Sequence, residues 1–179
     1  EIGASLVGSE MCIRDRIYMN IHKTAILDES VSLGKNVEIG AFSQILGNVK
    51  IGDNVIIKSN CIIGAEADQP RVDRLGDKSG SIVIEDGCII KDSVIISKPT
   101  LTEVTKVGSN SYLMSGAYIA HDCILGKNVI VSHGARLSGY TTVNNFSNIG
   151  ANATTHQKTT IGMCAVSYTH LTLPTNGTV

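Results

Sequence analysis

The residues best suited to chemistry sit in the run Ile119-Ala-His-Asp-Cys, where His121 is followed directly by Asp122. An imidazole has an unperturbed pKa of about 6.5, so it can take a proton from a hydroxyl near neutral pH. A carboxylate next to it can orient the ring or tune its charge. The bland alternative is a surface His-Asp pair at a turn. Gly139 lies 18 positions further on. Its N–H carries no side chain to shield it and can hold an oxyanion. His133 is either a solvated corner or a residue facing a neighbouring subunit's site. His156 and Gln157 close the run TTHQ. The five cysteines form no CxxC pair and no matching His spacing, so they make neither a zinc nor a redox motif.

The elements that must position these groups are set by a repeat. Aliphatic residues recur every six positions at Ile21, Leu27, Leu33, Ile39, Ile45, Ile51, Ile57 and Ile63. The frame is broken over 65–83 and resumes at Ile84, Ile90 and Ile96. It then shifts by one residue and runs from Val107 through Leu113, Ile119, Leu125, Val131, Leu137, Val143 and Ile149 to Ile161. Thr155 is the one polar residue in this series and suggests a corner diverted toward a ligand. Four positions after each aliphatic comes a small or β-branched residue, such as Val37, Ser43 or Val55. Cys61, Cys88 and Cys123 take that same position and are expected to pack in the core.

A period of six fits neither a helix nor simple two-residue alternation. It fits short strands joined by tight corners, with both marked positions pointing inward. Three strands close a triangular coil of 18 residues, and some 21 hexads give about seven coils stacked at about 4.8 Å. His121 is the third residue of its hexad and lies off the core face. Gly139 then sits one coil, about 4.8 Å, above it.

The pattern aliphatic-Gly-x-x-small-x, as at Ile39-Gly40 and Ile51-Gly52, resembles that of the hexapeptide-repeat transferases. The resemblance implies an all-β fold, a left-handed parallel β-helix. Within that group, residues 105–129 (TKVGSNSYLMSGAYIAHDCILGKNV) and the stretch ARLSGYTTVNNFSNIGANATTHQ are similar to the UDP-N-acetylglucosamine O-acyltransferase family of lipid A synthesis. The likeness covers about 19–165. It implies an acyltransferase that moves an acyl group from a carrier thioester to a hydroxyl of a UDP-amino sugar. Acyl carrier protein, through its phosphopantetheine thioester, or an acyl-CoA would be the co-substrate, with no other cofactor and no metal. It also implies a homotrimer with sites between neighbouring chains.

Residue by residue, the resemblance makes His121 the general base and Gly139 the oxyanion donor, and Asp122, directly after the base, could orient it or tune its charge. It places His156, Gln157, Tyr140 and Tyr118 as substrate-binding residues. His156 is otherwise a plain surface histidine. The family usually has His where this chain has Tyr118 and Tyr140. A tyrosine can donate a hydrogen bond and stack on a sugar or nucleobase, but it is uncharged at pH 7. The main alternative is an acetyl-CoA-dependent sugar O- or N-acetyltransferase. A β-helix zinc carbonic anhydrase needs three His ligands, and its histidine five residues before the match to His121 is Gly116 here. A non-catalytic, ice-binding prism would show regular Thr rows, which are not seen.

Composition bounds the rest. Lys+Arg is 15 against 16 Asp+Glu, a net charge of −1, which argues against nucleic acid and against a polybasic membrane patch. With no Trp and two Phe, the core must come from Ile, Val, Leu and Ala. No apolar run approaches the ~18 residues of a membrane span, so a soluble, cytoplasmic protein is expected. The 179 residues divide into a tail at 1–18, a β-helix at 19–165 and a tail at 166–179. Both tails lack hexads and resemble translated adapter read-through. They are expected to add no fixed structure to the prism, with Met19 a natural start and the native chain cut near 165. In the excursion at 65–83, Arg71, Arg74 and Lys78 could meet a diphosphate or phosphopantetheine, or simply form a solvated loop.

Overall fold

The computed structural model describes residues 20–68 and 80–167. Met19, Arg71, Arg74 and Lys78, together with nearly all of both tails, lie outside the described residues. Nearly every hexad among the described residues contributes one strand of two to four residues, and every paired strand is parallel to its neighbours. The strands form three sheets of eight, six and seven members. Successive strands of one sheet belong to successive coils, and the chain closes a left-handed parallel β-helix. The seven-stranded sheet matches the expected number of coils.

The register follows the hexads. In the eight-stranded sheet Ile57 pairs with Ile39 on one side and Ile90 on the other. Both inward positions are buried: Ile39, Ile57 and Ile90 stand over one face, with Val37, Val55 and Cys88 beside them. Extended backbone puts alternate side chains on opposite faces, so the two inward positions of a hexad stay in the core and the intervening ones turn out. Most corners from Asn36 onward carry one left-handed residue. Asn36, Asn54, Asn60, Asn110, Asn128 and Asn152 take φ between 55° and 59° there. Asn enters this region more easily than most residues because its short polar side chain can hydrogen-bond locally.

Three boundaries differ from expectation. Strands Ile62–Ala65 and Ser81–Ile84 reach into both sides of the interruption placed at 65–83. Ile82 is buried there, because two-residue alternation continues beyond the hexad. A second excursion, at 98–103, joins Ile95–Ser97 to Val104–Val107. It was expected only as a one-residue shift of frame. From Ile96 to Val107 is 11 positions, not six (107 − 96), and in a six-residue period five added residues leave the same phase as one removed. Finally, Val166–Ser167 forms a strand on Asn148–Ile149, two residues past the expected end at 165. Ser167 occupies the inward position and Val166 is exposed, so no aliphatic marks this hexad. The backbone ladder carries it instead, with Asn148 N–H donating to Ala165 O at 2.8 Å and Gly150 N–H to Ser167 O at 2.6 Å. Among the described residues no helix is long and apolar enough to cross a membrane.

Candidate active site

One corner of the prism collects most of the candidate residues. It is the corner at which the chain leaves the six-stranded sheet. Both excursions start there, after Ile62–Ala65 and after Ile95–Ser97. His121 follows Tyr118–Ile119 at the same corner one coil on, and Gly139 follows Arg136–Leu137 one coil beyond. His156, Gln157 and Lys158 come next, where the ladder reduces to a single bridge between Arg136 and Thr154. Asp122, Tyr140 and Lys158 are the left-handed residues of three stacked turns, with φ of 60°, 61° and 61°.

His121 and Asp122 are not a solvated pair: they are 4% and 3% exposed. His121 Nδ1 lies 2.8 Å from Asp122 Oδ2. The excursion at 98–103 covers them. Thr100 N–H and Oγ1 donate to Asp122 Oδ2 at 3.0 and 2.7 Å. Leu101 N–H, Thr102 N–H and Thr102 Oγ1 donate to Asp122 Oδ1 at 3.2, 2.7 and 2.5 Å. Asp122 N–H in turn donates to Thr105 Oγ1 at 2.9 Å. Burial pushes the Asp122 carboxyl up, but the hydrogen bonds from Thr102, Thr100 and His121 outweigh it and bring it down to about 2. The carboxylate is therefore ionised at neutral pH. It holds a proton on Nδ1 and leaves Nε2 free to act as a base.

Gly139 packs against the face of this ring. A Cβ there would stand 2.5 Å from His121 Cε1 and 2.7 Å from Nε2. Among the described residues no acceptor takes the Gly139 N–H, while its carbonyl accepts from Lys158 N–H at 3.0 Å. Tyr140 N–H donates to His121 O at 3.1 Å, and its ring meets the imidazole edge-on with centroids 5.1 Å apart. Tyr140 Oη also lies 3.3 Å from Thr100 Oγ1, and Lys158 Nζ stands 5.9 Å from the Tyr140 ring centroid. A free N–H beside a bare imidazole nitrogen suits proton abstraction from a hydroxyl together with stabilisation of an oxyanion.

The other candidates are placed less centrally. His156 and Gln157 reach this corner but are exposed, and His156 Nδ1 lies 3.3 Å from Gln157 O. Thr155 turns its hydroxyl into the fold, not toward an open face. It accepts from Ser138 N–H at 3.0 Å and meets Thr141 Oγ1 at 2.9 Å. Tyr118 points out from the six-stranded sheet, with its hydroxyl 3.3 Å from Ser97 Oγ and from Asp68 Oδ2. Burial first, and the Asp68 charge as well, push its phenol up. His133 follows the eight-stranded sheet, at a different corner, and is exposed. Among the described residues no three His, Cys, Asp or Glu side chains gather as metal ligands would.

Thr100, Leu101, Thr102 and Thr105 escaped the sequence reading. The available signal was the 11-position gap between Ile96 and Val107, filled by the Thr-rich run PTLTEVT.

A family model described as bacterial transferase hexapeptide (six repeats) matches residues 30–65 and 105–139. Two curated relatives are both named acyl-[acyl-carrier-protein]–UDP-N-acetylglucosamine O-acyltransferase. The one from Aliarcobacter butzleri is 35% identical over 80% of this chain and 62% of its own length. The one from Campylobacter concisus is 30% identical over 80% of this chain and 55% of its own. The chain thus spans little more than half the length of these relatives. The solved UDP-N-acetylglucosamine acyltransferase from Campylobacter jejuni superposes with a TM-score of 0.74 at 24% identity, covering 84% of this chain and 66% of that one. At that identity the superposition speaks for the fold.

Proposed function

We propose, from the match of residues 30–65 and 105–139 to the bacterial transferase hexapeptide repeats, that the corner of His121, Asp122 and Gly139 transfers an acyl group from a carrier-bound thioester to a hydroxyl of a UDP-amino sugar. The observation that carries this reading is the buried dyad with Gly139 packed against its imidazole, a glycine whose N–H has no acceptor among the described residues. His121 Nε2 takes the hydroxyl proton as the sugar oxygen attacks the thioester carbon. The carbonyl electron pair moves to oxygen, and the Gly139 N–H stabilises that oxyanion. The intermediate collapses, the C–S bond breaks, and the thiolate leaves with the proton held on Nε2. An ester and a free thiol result. Asp122 keeps its negative charge throughout and stabilises the imidazolium that forms between the two proton transfers.

The names of the relatives support acyl carrier protein as the donor and UDP-N-acetylglucosamine as the acceptor. Tyr140, His156 and Gln157 line the corner and would contact the acceptor, with Tyr118 on its flank. The assembly proposed is a cytoplasmic homotrimer with this corner facing a neighbouring chain. Light scattering checks it, and a monomer at all concentrations overturns it.

The test is a transfer assay of the full chain with acyl carrier protein thioesters, with acyl-CoA or acetyl-CoA, and with UDP-N-acetylglucosamine. Transfer from the carrier thioester is expected, and His121→Ala should lower it roughly 10²–10⁴-fold. Transfer from acetyl-CoA alone would instead favour the sugar acetyltransferase reading. A His121→Ala chain as fast as the parent, or a parent that uses no thioester, would overturn the proposal.

A further inference from the structure

We propose that the excursion at 98–103 is a positioning strap, in which the hydroxyls of Thr100 and Thr102 lock Asp122 and thereby hold the His121 proton on Nδ1. The proposal rests on the reading of His121 as the base.

Six donors converge on one buried carboxylate. Oδ2 receives Thr100 N–H, Thr100 Oγ1 and His121 Nδ1, and Oδ1 receives Leu101 N–H, Thr102 N–H and Thr102 Oγ1. An ionised carboxylate is acceptor-only with about four lone-pair sites, so this shell saturates it. A protonated Asp122 would set a donor against a donor. The Thr100 hydroxyl has a single hydrogen and gives it to Asp122 at 2.7 Å. Its oxygen can then only accept, from Tyr140 Oη at 3.3 Å or from His121 Nδ1 at the same distance. A directed chain results, from Tyr140 to Thr100 to Asp122, with His121 donating into the same carboxylate oxygen. Its members come from three successive coils, so it registers Tyr140 and Gly139 above the ring against the strap below it.

The strap is itself held at both ends. Lys98 N–H donates to Ala65 O at 2.9 Å, and Lys98 Nζ pairs with Glu66 Oε1 at 2.7 Å. Pro99 lies so close to Gly80 that a Cβ there would stand 2.4 Å from its Cγ. At the far end Ser81 N–H donates to Glu103 O at 2.9 Å. The two excursions therefore brace each other beneath the dyad. Without the hydroxyls the carboxylate keeps its three backbone donors but loses two of the groups that set its rotation. The imidazole is then free to move its proton to Nε2, the position where a bare nitrogen is needed. Thr102 Oγ1 reaches Asp122 but neither His121 nor Tyr140, so its loss falls on turnover, whereas loss of the Thr100 hydroxyl also frees Tyr140.

The test pairs the full chain with Thr100→Val/Thr102→Val, which keeps the β-branched shape and removes both hydroxyls. Thr100→Ser/Thr102→Ser restores them. Nitrogen-15 spectra of the His121 ring are expected to show Nδ1–H with a bare Nε2 in the parent and in the serine variant. A substantial Nε2–H population should appear in the valine variant. In transfer assays kcat should fall roughly 10- to 100-fold for the valine pair, with serine restoring it, and Thr102→Val alone should lower kcat at nearly unchanged KM. Should the valine pair fail to unfold cooperatively, Thr102→Val alone carries the same spectroscopic test, because Thr102 sits on the exposed side of the strap. An unchanged ring spectrum and unchanged kcat in a folded valine variant overturns the strap. The expected parent spectrum without any transfer overturns the acyltransferase reading and leaves the strap standing.

Discussion

The His121 imidazole and the Gly139 α-carbon occupy adjoining coils so closely that no side chain fits between them. A Cβ on Gly139 would stand 2.5 Å from Cε1, 2.7 Å from Nε2 and 3.1 Å from Nδ1 of the ring. Glycine is required by this approach and not by its own backbone angle, since φ at Gly139 is not in the left-handed region. Gly139→Ala should push the imidazole away from the free N–H. Loss of transfer is expected together with about 1–3 kcal/mol of destabilisation from overpacking. Thermal unfolding alongside the transfer assay checks both, and a variant with parental activity would show that the ring does not work from this position.

Acid sensitivity should concentrate in two carboxylates. Asp122 is held at about 2 against an ordinary 3.8, and Glu85 is lowered to about 2 from 4.5, first by the Lys106 hydrogen bond and then by Ser109. Both folded values lie below the unfolded ones. Their stabilisation is therefore complete above about pH 4.5 and is lost as pH falls toward about 2. For Asp122 the term is on the order of 2 kcal/mol. Unfolding midpoints measured from pH 7 to pH 2 should drop steeply below pH 4.5. Asp122→Asn should start lower and give a shallower acid limb, and an acid limb as steep as the parent's would contradict the assignment.

Ile57→Asp tests the core register. Ile57 is 1% exposed and is stacked between Ile39 and Ile90. An unpaired carboxylate in that column should cost several kcal/mol and unfold the prism or lower its midpoint sharply. An unchanged midpoint would mean that Ile57 faces solvent.

Cysteine labelling reads the same geometry without mutation. Burial pushes the thiols of Cys88 and Cys123 up to about 11 and about 12, and it raises Cys61 as well. Cys164 is exposed at a corner. Brief alkylation of the native chain at pH 8, mapped by mass spectrometry, should modify Cys164 and leave Cys61, Cys88 and Cys123 intact until denaturant is added. Equal labelling at Cys164 and Cys123 would break the inward assignment.

The hexads determined which residues enter the core, because in a two-residue alternation each frame residue and the one four places on share a face. Ile57, Val55 and Cys88 needed no further information. The 18-residue coil also brought His121 and Gly139 together, since a parallel ladder stacks residues one coil apart. Tertiary structure decided what the repeat does not encode. The period of six cannot tell an insertion of five from a deletion of one, so the strap at 98–103 looked like a shift of frame. Its threonines meet Asp122 only after folding, across 20 to 22 positions of sequence. That closure turned an apparent surface pair into a buried dyad. Ser167 stayed hidden for a related reason: its place in the helix comes from backbone hydrogen bonds to the coil below, which any side chain permits.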